Sequence, residues 1–549
     1  MKKYLALLLA LTMLASLLTG CGGDSGSGSD SGNDASADNP PPVEMTGNCT
    51  VPANSDIVVV NYSDISTFFP ADITQAAEYS LGHLAYESLC TFDDDMNIQY
   101  VLASGCEISE DGKDYTFTLR KGIKFSDGED WNAAACKANF DMMLDESNAF
   151  LNVWLFTGVV ESCEVVDDYT VILHLFDSYA PMLNVLAAYT GFVSPALIAK
   201  GPEAWKNEVA GTGQYVQTSY RSGESAVYTL NRNYWGYDPE IAGDDVLAPD
   251  AGFNSITVKP VAEEATRIAM LISGEADVAN EISATNIPTL EANGGSIATC
   301  PGAVIGYLYF NCQKPAMNDV RVRQAISMAI DTAALNNVVY GGANQVCDSV
   351  ISTSISGYKK TGVIEVNLEK ARSLMAEAGY GDGLTLTAWE ENDTSDIQRG
   401  EFIQQQLEQI GITLDVHPME GGVLATEVGG HEPTDPNYYD VYIRGYGSDT
   451  YDSDEMLGRY STPAWAPAGS NYSYYSNPEY DALIAEAAKS TDPDARNELY
   501  SQAQDILRED MPVLPLLVNT YIAAYGKRLE NFTYHSNSYF NYNDAKFVG

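Results

Sequence analysis

Apolar positions along this chain follow two periods, one of two residues and one near 3.6, and the segments carrying them alternate. Ile57–Asn61 is a short β-branched run that reads as a buried strand. Ala, Leu and Tyr take helical spacing over Gln75–Leu89. Tyr115–Arg120 alternates at period two between the turns Glu110-Asp111-Gly112 and Phe125-Ser126-Asp127-Gly128. Asn132–Leu144 predicts a helix with Asn132 as its cap, and Val165–Leu175 a strand around the turn Asp167-Asp168. Residues 90–205 thus read as small hairpins and short helices. Beyond Gly211 the strands Tyr228–Arg232, Ile256–Pro260, Gly306–Asn311, Leu384–Trp389 and Ile412–His417 are interleaved with helices. The predicted helices are Glu263–Ser273, Asp319–Ile330, Asn367–Ala378, Gln398–Ile410, Pro478–Lys489 and Asp494–Arg508. Val322, Ala325, Ile326 and Ala329 share one helical face. Alternation of this kind through 206–549 is the mark of an α/β architecture.

The N-terminus interrupts this regime. Lys2 and Lys3 precede an apolar run from Tyr4 to Leu18, too short to span a bilayer and followed by Leu18-Thr19-Gly20-Cys21. The arrangement resembles a bacterial lipoprotein signal, with residues 1–20 as leader and Cys21 as the lipid-bearing residue. Residues 22–42 are Gly, Ser, Asp and Pro without apolar content, so 21–54 is expected to be a disordered tether. A lipid on such a leash would hold the folded part at the outer face of the cytoplasmic membrane, extracellular or periplasmic.

Composition narrows the function. The chain has 549 residues, of which 45% are hydrophobic, so two or three domains of about 100–200 residues are expected. Against 29 Lys+Arg stand 76 Asp+Glu, a formal charge of -47. That field repels polyanions, which excludes nucleic acid as a partner and leaves cationic or zwitterionic ligands open. The five histidines are not spaced as a helix-borne zinc site, and no nucleophile elbow or phosphate loop occurs, so no enzyme, metal or cofactor is expected. Asp449, Asp452, Asp454 and Glu455 lack the spacing and the glycine of a calcium loop. Of the nine cysteines none forms a CxxC. Cys106 and Cys163 each open a strand-like stretch and are the pair these signals suggest, with free buried thiols as the alternative.

Ten short segments in order carry a resemblance. They are Tyr86-Glu87-Ser88-Leu89, Leu102-Ala103, Tyr115–Gly122, Phe125–Gly128, Ala133–Phe140, Gly211-Thr212-Gly213-Gln214-Tyr215, Asn233-Tyr234-Trp235-Gly236, Ser273–Asp277, Phe310-Asn311, and Val322–Ile326 with Ala329-Ile330-Asp331. Together they resemble family 5 of the bacterial extracellular solute-binding proteins, the peptide- and nickel-type lipoproteins that serve ABC importers. The resemblance spans 56–549. It implies a type II periplasmic-binding-protein fold: two α/β lobes joined by a hinge, with an extra domain inserted in the first. The implied boundaries are 55–90, 206–305 and 520–549 for lobe I, 91–205 for the inserted domain II, and 306–519 for lobe III. It also implies capture of a peptide between the lobes by hinge closure, delivery to membrane permease subunits, and a monomer. Alternatives are a peptide-signal sensor, or a binder of another amine-bearing solute.

The resemblance further implies site residues. Gly445-Tyr446-Gly447-Ser448-Asp449-Thr450-Tyr451-Asp452 is similar to the segment whose first Asp holds the α-ammonium of a bound peptide. Asp449 is therefore the leading ligand residue, with Tyr446, Gly447, Ser448 and Tyr451 around it. Tyr446 stands where the family usually has Trp. Where dipeptide binders carry an Arg for the ligand carboxylate, this chain has Glu390, which could not hold a carboxylate but would favour a basic ligand. Thr74 and Gln75 align with contacts from the first lobe. No histidine falls where nickel binders would need one.

Overall fold

The computed structural model describes residues 55–548, apart from 74–75, 94–95, 152, 190, 244–251, 535–539 and 543–544. The expected leader, tether, Cys21, Thr74 and Gln75 lie outside the described residues.

An eleven-stranded mixed sheet organises the body. Its order is Ile412–Met419, Leu384–Glu391, Val441–Tyr446, Ser296–Phe310, Val513–Tyr525, Val278–Ala279, Asp56–Asn61, Ser255–Pro260, Ser225–Leu230 and Tyr215–Arg221, with Gln345–Val346 beside Val513–Tyr525. The two long central strands, Ser296–Phe310 and Val513–Tyr525, run antiparallel, and their register breaks between Pro301 and Ile305. The cores change at the same place. Ala298 and Ala523 belong to the core built on Ile57, Val59 and Ile256, whereas Ala303, Ile305, Tyr307, Tyr309, Val513 and Val518 belong to a second one rich in tyrosine. Leu308, Phe310, Leu514 and Leu517 supply the other face of that half, under the helices Val320–Ala329 and Thr394–Glu408. One pair of strands therefore serves two cores and crosses between them through an irregular ladder.

The segment 90–205 contains a separate four-stranded antiparallel sheet, in the order Ala103–Ile108, Asp114–Leu119, Thr170–Leu175, Val160–Asp167, with the helix Ala133–Leu144 packed on it. The expected helix cap holds: the Asn132 side chain accepts from the Ala135 N–H at 3.0 Å. The single strand expected over Val165–Leu175 is a hairpin of two strands, because Asp167-Asp168 turns the chain back on itself. This sheet also overturns the cysteine pairing. Cys106 and Cys163 sit on its two opposite edge strands, three ladder spacings of about 4.8 Å apart, beyond the reach of a disulfide. The seven described cysteines are free, and burial, with Cys163 beside it, pushes the Cys136 thiol up.

Three of the motifs meet at one buried carboxyl. Glu87 accepts hydrogen bonds from the Tyr234 hydroxyl at 2.6 Å, the Trp235 indole N–H at 2.7 Å and the Thr212 hydroxyl at 2.7 Å. Gly211 and Gly213 are required beside it: a Cβ on either would collide with the Ala85 backbone. Burial pushes the Glu87 carboxyl up to about 7, against the three hydrogen bonds, which pull it down. The folded state thus keeps a proton that the unfolded chain releases near 4.5. This contribution to stability is complete below the unfolded value and is lost as pH rises through 7. A Glu87→Gln variant can mimic the protonated acid by donating to Tyr234 while accepting from Trp235 and Thr212. It is expected to remove this component, so that thermal unfolding at pH 5 and at pH 8 differs less in the variant than in the parent protein.

Candidate functional site

Crevices at the carboxyl ends of parallel strands are where ligands collect in open α/β sheets. Leu384–Glu391 and Val441–Tyr446 run parallel, and the chain leaves the second of them as the loop 447–452. Glu455, in the first turn of the following helix Ser453–Gly458, shapes that loop. Its Oε2 accepts from the Ser448 hydroxyl (2.8 Å), the Asp449 N–H (2.8 Å), the Thr450 N–H (2.9 Å) and the Thr450 hydroxyl (2.9 Å). Asp452 pins the other end. It is fully buried, caps the helix through the Asp454 N–H, and forms a two-pronged ion pair with Arg496 at 2.6 and 2.8 Å. Tyr451, between them, takes a left-handed backbone (φ 55°), and its carbonyl accepts from the Ser356 N–H. These acids are thus turned onto backbone amides, hydroxyls and an arginine rather than converging on one point as cation ligands.

Asp449 is the exception. The backbone around it is clamped, yet its carboxylate makes no hydrogen bond and no ion pair among the described residues. The residue is exposed, in a loop crowded by other carboxylates. Burial and the neighbouring Glu455 push its carboxyl up to about 6, and the Arg459 guanidinium opposes them. That guanidinium lies over the Tyr446 ring, among Tyr307, Tyr309 and Tyr460. Arg459 is only 4% exposed, its Nε and Nη1 have no hydrogen-bond partner, and it forms no salt bridge among the described residues.

Two other walls face this loop. From the central strand Val513–Tyr525, the Tyr521 hydroxyl feels the charge of both Asp449 and Glu281. Its ring packs on Tyr534, whose hydroxyl donates to the Asn280 Oδ1 at 3.0 Å. The inserted segment supplies Phe92, edge-on to Tyr451 at 5.9 Å, and Tyr179, whose surroundings include Asp452, Asp454 and Glu455. The Ala180 N–H donates to the Ala488 carbonyl at 2.9 Å nearby.

Tyr446, Gly447, Ser448, Asp449 and Tyr451 therefore share one loop at one crevice. Glu390 stands apart from them. It is 1% exposed, its carboxylate lies against Gly400 of the helix Thr394–Glu408, and its charged neighbours are Arg399, Asp396 and Glu401. Burial pushes it up to about 7. The structure does not bring it to Asp449. Arg459 and Glu455 are the residues that motif reading passed over. Glu455 was visible only as one more acid in an acidic run, and Arg459 as an ordinary arginine after a short helix.

Residues 97–502 match the family model described as "Bacterial extracellular solute-binding proteins, family 5 Middle". The chain belongs to that family. It is a family 5 solute-binding protein of an ABC importer, with the family's two lobes and extra domain. Among curated relatives, the glutathione-binding protein GsiB of Salmonella choleraesuis is 32% identical over 498 residues, covering 90% of this chain and 94% of the relative. GsiB of Escherichia coli K12 is 32% identical over 497 residues, with the same coverage. Among solved structures, HbpA2 from Haemophilus parasuis superimposes with a TM-score of 0.81 at 25% identity, covering 90% of this chain and 100% of that one. The DppA protein of Helicobacter pylori in complex with the peptide STSA gives 0.69 at 23% identity, covering 90% and 98%. Proteins of this family are binding components of transport systems rather than enzymes, and no helix among the described residues is long and apolar enough to cross a membrane.

Proposed function

We propose that this family 5 protein captures short peptides by their free ammonium end on Asp449, in the crevice between its lobes, and hands them to a membrane permease. The observation that carries this reading is the Asp449 carboxylate, held rigidly by the Glu455 clamp and left without a protein partner. An ammonium entering there makes a charge-assisted hydrogen bond in a place that neutral ligands find costly. In the same reading 55–90, 206–305 and 520–549 form lobe I, 91–205 the inserted domain and 306–519 lobe III. The irregular ladder between Pro301 and Ile305 supplies the hinge. A lipid on Cys21 and the tether 21–54 keep the monomeric body at the outer membrane face.

Mass spectrometry of what co-purifies with residues 43–549 tests this. Peptides with free amino termini support it, whereas a metal complex or a single species without an amine overturns it. The pH dependence is a second test. Asp449 must be ionised to hold the ammonium, so affinity is expected to fall about tenfold per unit below pH 6. It should also decline above about pH 8 as the peptide α-amino group loses its proton. Calorimetric titration between pH 4.5 and 9 checks both limbs.

A further inference from the structure

Arg267, 3% exposed in the helix Glu264–Ser273, donates to four backbone carbonyls: Val261 and Ala262 at 2.8 Å, Asn280 at 3.0 Å and Glu281 at 2.8 Å. That grip fixes the turn after the strand Val278–Ala279. Within it Glu281 takes a left-handed backbone (φ 51°), its N–H on the Asn280 Oδ1 at 2.8 Å. A residue with a side chain is strained there, and such strain persists where the surroundings enforce it, often at functional sites. The Ile282 N–H donates to the Ile522 carbonyl at 3.0 Å, and the Asn280 Oδ1 also accepts from the Tyr534 hydroxyl at 3.0 Å. Glu281 is thereby held beside Tyr521 and Tyr534, whose ring centroids lie 6.2 Å apart. Both hydroxyls feel its charge. The residue is exposed, and its carboxylate makes no hydrogen bond and no ion pair among the described residues.

This place borders the same crevice. Tyr521 pairs with Cys300 just before the register break, and a Cβ on Gly302 would come within 2.7 Å of its ring. Two residues on, Val304 packs under the loop 447–452: a Cβ on Gly447 would come within 2.9 Å of its side chain. Glu281 and that loop thus approach the break from opposite halves of the sheet. A carboxylate beside two aromatic rings suits a cation on an apolar stem. The charge bonds to the carboxylate, the ring faces attract it further, and the methylenes lie along the rings. The formal charge of -47 favours the approach of such a group over that of an anion.

We infer that Glu281, Tyr521 and Tyr534 form a subsite for the basic side chain of a bound peptide, so that lysine- or arginine-containing peptides are preferred. This rests on the reading of the crevice as a peptide site and adds a specificity to it.

Isothermal titration of the purified protein with alanine tetrapeptides decides the matter. One series carries lysine at each position in turn. The other carries norleucine, which keeps the four-carbon stem and lacks the ammonium. At one position at least, lysine is expected to bind about tenfold or more tighter than norleucine. Glu281→Gln keeps the turn, which Arg267 holds through the backbone, and is expected to erase most of that preference while leaving the norleucine peptides unchanged. Tyr521→Leu keeps the carboxylate, removes a ring face and should lower the same preference about threefold; it serves also if Glu281→Gln fails to fold. Equal affinity for lysine and norleucine at every position overturns the inference and leaves the peptide reading standing. A lysine preference that both variants retain in full overturns it too, since the preference then belongs to the overall charge of the chain. Binding of no tetrapeptide in either series overturns the peptide reading and this inference with it.

Discussion

Asp449→Asn is expected to weaken peptide binding by about a hundredfold or more while leaving the fold intact. The substitution keeps the shape of the side chain and removes its charge. A charge-assisted hydrogen bond in a desolvated site contributes about 2–4 kcal/mol when one partner is lost, which is about 30- to 1000-fold in affinity. The folded state should not suffer. The loop is shaped by Glu455 through the backbone N–H groups of Asp449 and Thr450, and neither contact involves the Asp449 carboxylate. Burial and the repulsion of Glu455 already make the ionised side chain costly, since they push it up to about 6. Above that pH the variant is therefore expected to unfold at an equal or slightly higher temperature than the parent protein. Calorimetry with a peptide ligand, paired with thermal unfolding of the free protein, reads both effects. Unchanged affinity would remove Asp449 from the site. The variant should also lose the acidic limb of the binding profile, because the carboxyl whose protonation releases the ammonium is gone.

Much of this was legible before any coordinates, and what was missed has physical reasons. The motif segments could be recognised because each is pinned by a non-negotiable contact. Glu87, Thr212, Tyr234 and Trp235 come from three separate motifs and meet at one carboxyl, so none can drift alone. Helices capped by Asn132 or Asn367 and stopped by Gly274 or Gly379 could likewise be read from local chemistry. The central strands could not. Ser296–Phe310 was seen only from Gly306 onward, because Pro301 and Gly302 break the alternation where the strand passes from one core to another. Val513–Tyr525 went unread for the same reason: Pro515 and the polar pair Asn519-Thr520 sit inside it. A strand that changes partners carries no single pattern. At the site, the acidic run 449–455 shows equal-looking carboxylates, and only three dimensions separate the clamp Glu455, the anchor Asp452 and the free Asp449. Arg459 is the extreme case, since nothing in its neighbours along the chain says that its guanidinium is buried among four tyrosines.

The anchor should show the largest effect on stability. Asp452→Ala is expected to destabilise the fold by about 3–5 kcal/mol, because it strands the Arg496 guanidinium, whose side chain is 13% exposed, beside a vacated carboxylate site. Loss of the helix cap adds about 1 kcal/mol. Two groups remain near Arg496 to moderate the cost. The Tyr500 hydroxyl already accepts from it at 2.8 Å, and Asp454, which burial and Asp452 push up to about 6, becomes its nearest counter-charge once Asp452 is gone. Asp452→Asn separates the two components, since the amide oxygen can still cap the Asp454 N–H while the charge is lost; it should fall between Ala and the parent protein. An exposed pair gives the baseline: Lys137→Ala breaks the contact with Asp141 at the surface and should cost no more than about 0.5 kcal/mol. Urea unfolding followed by tyrosine and tryptophan fluorescence orders the variants. If Asp452→Ala unfolds with the parent protein, the ion pair adds nothing net and the loop is held by Glu455 alone. If it is destabilised as expected, peptide affinity measured well below its transition should fall as well, because Asp452 caps the helix that carries Glu455.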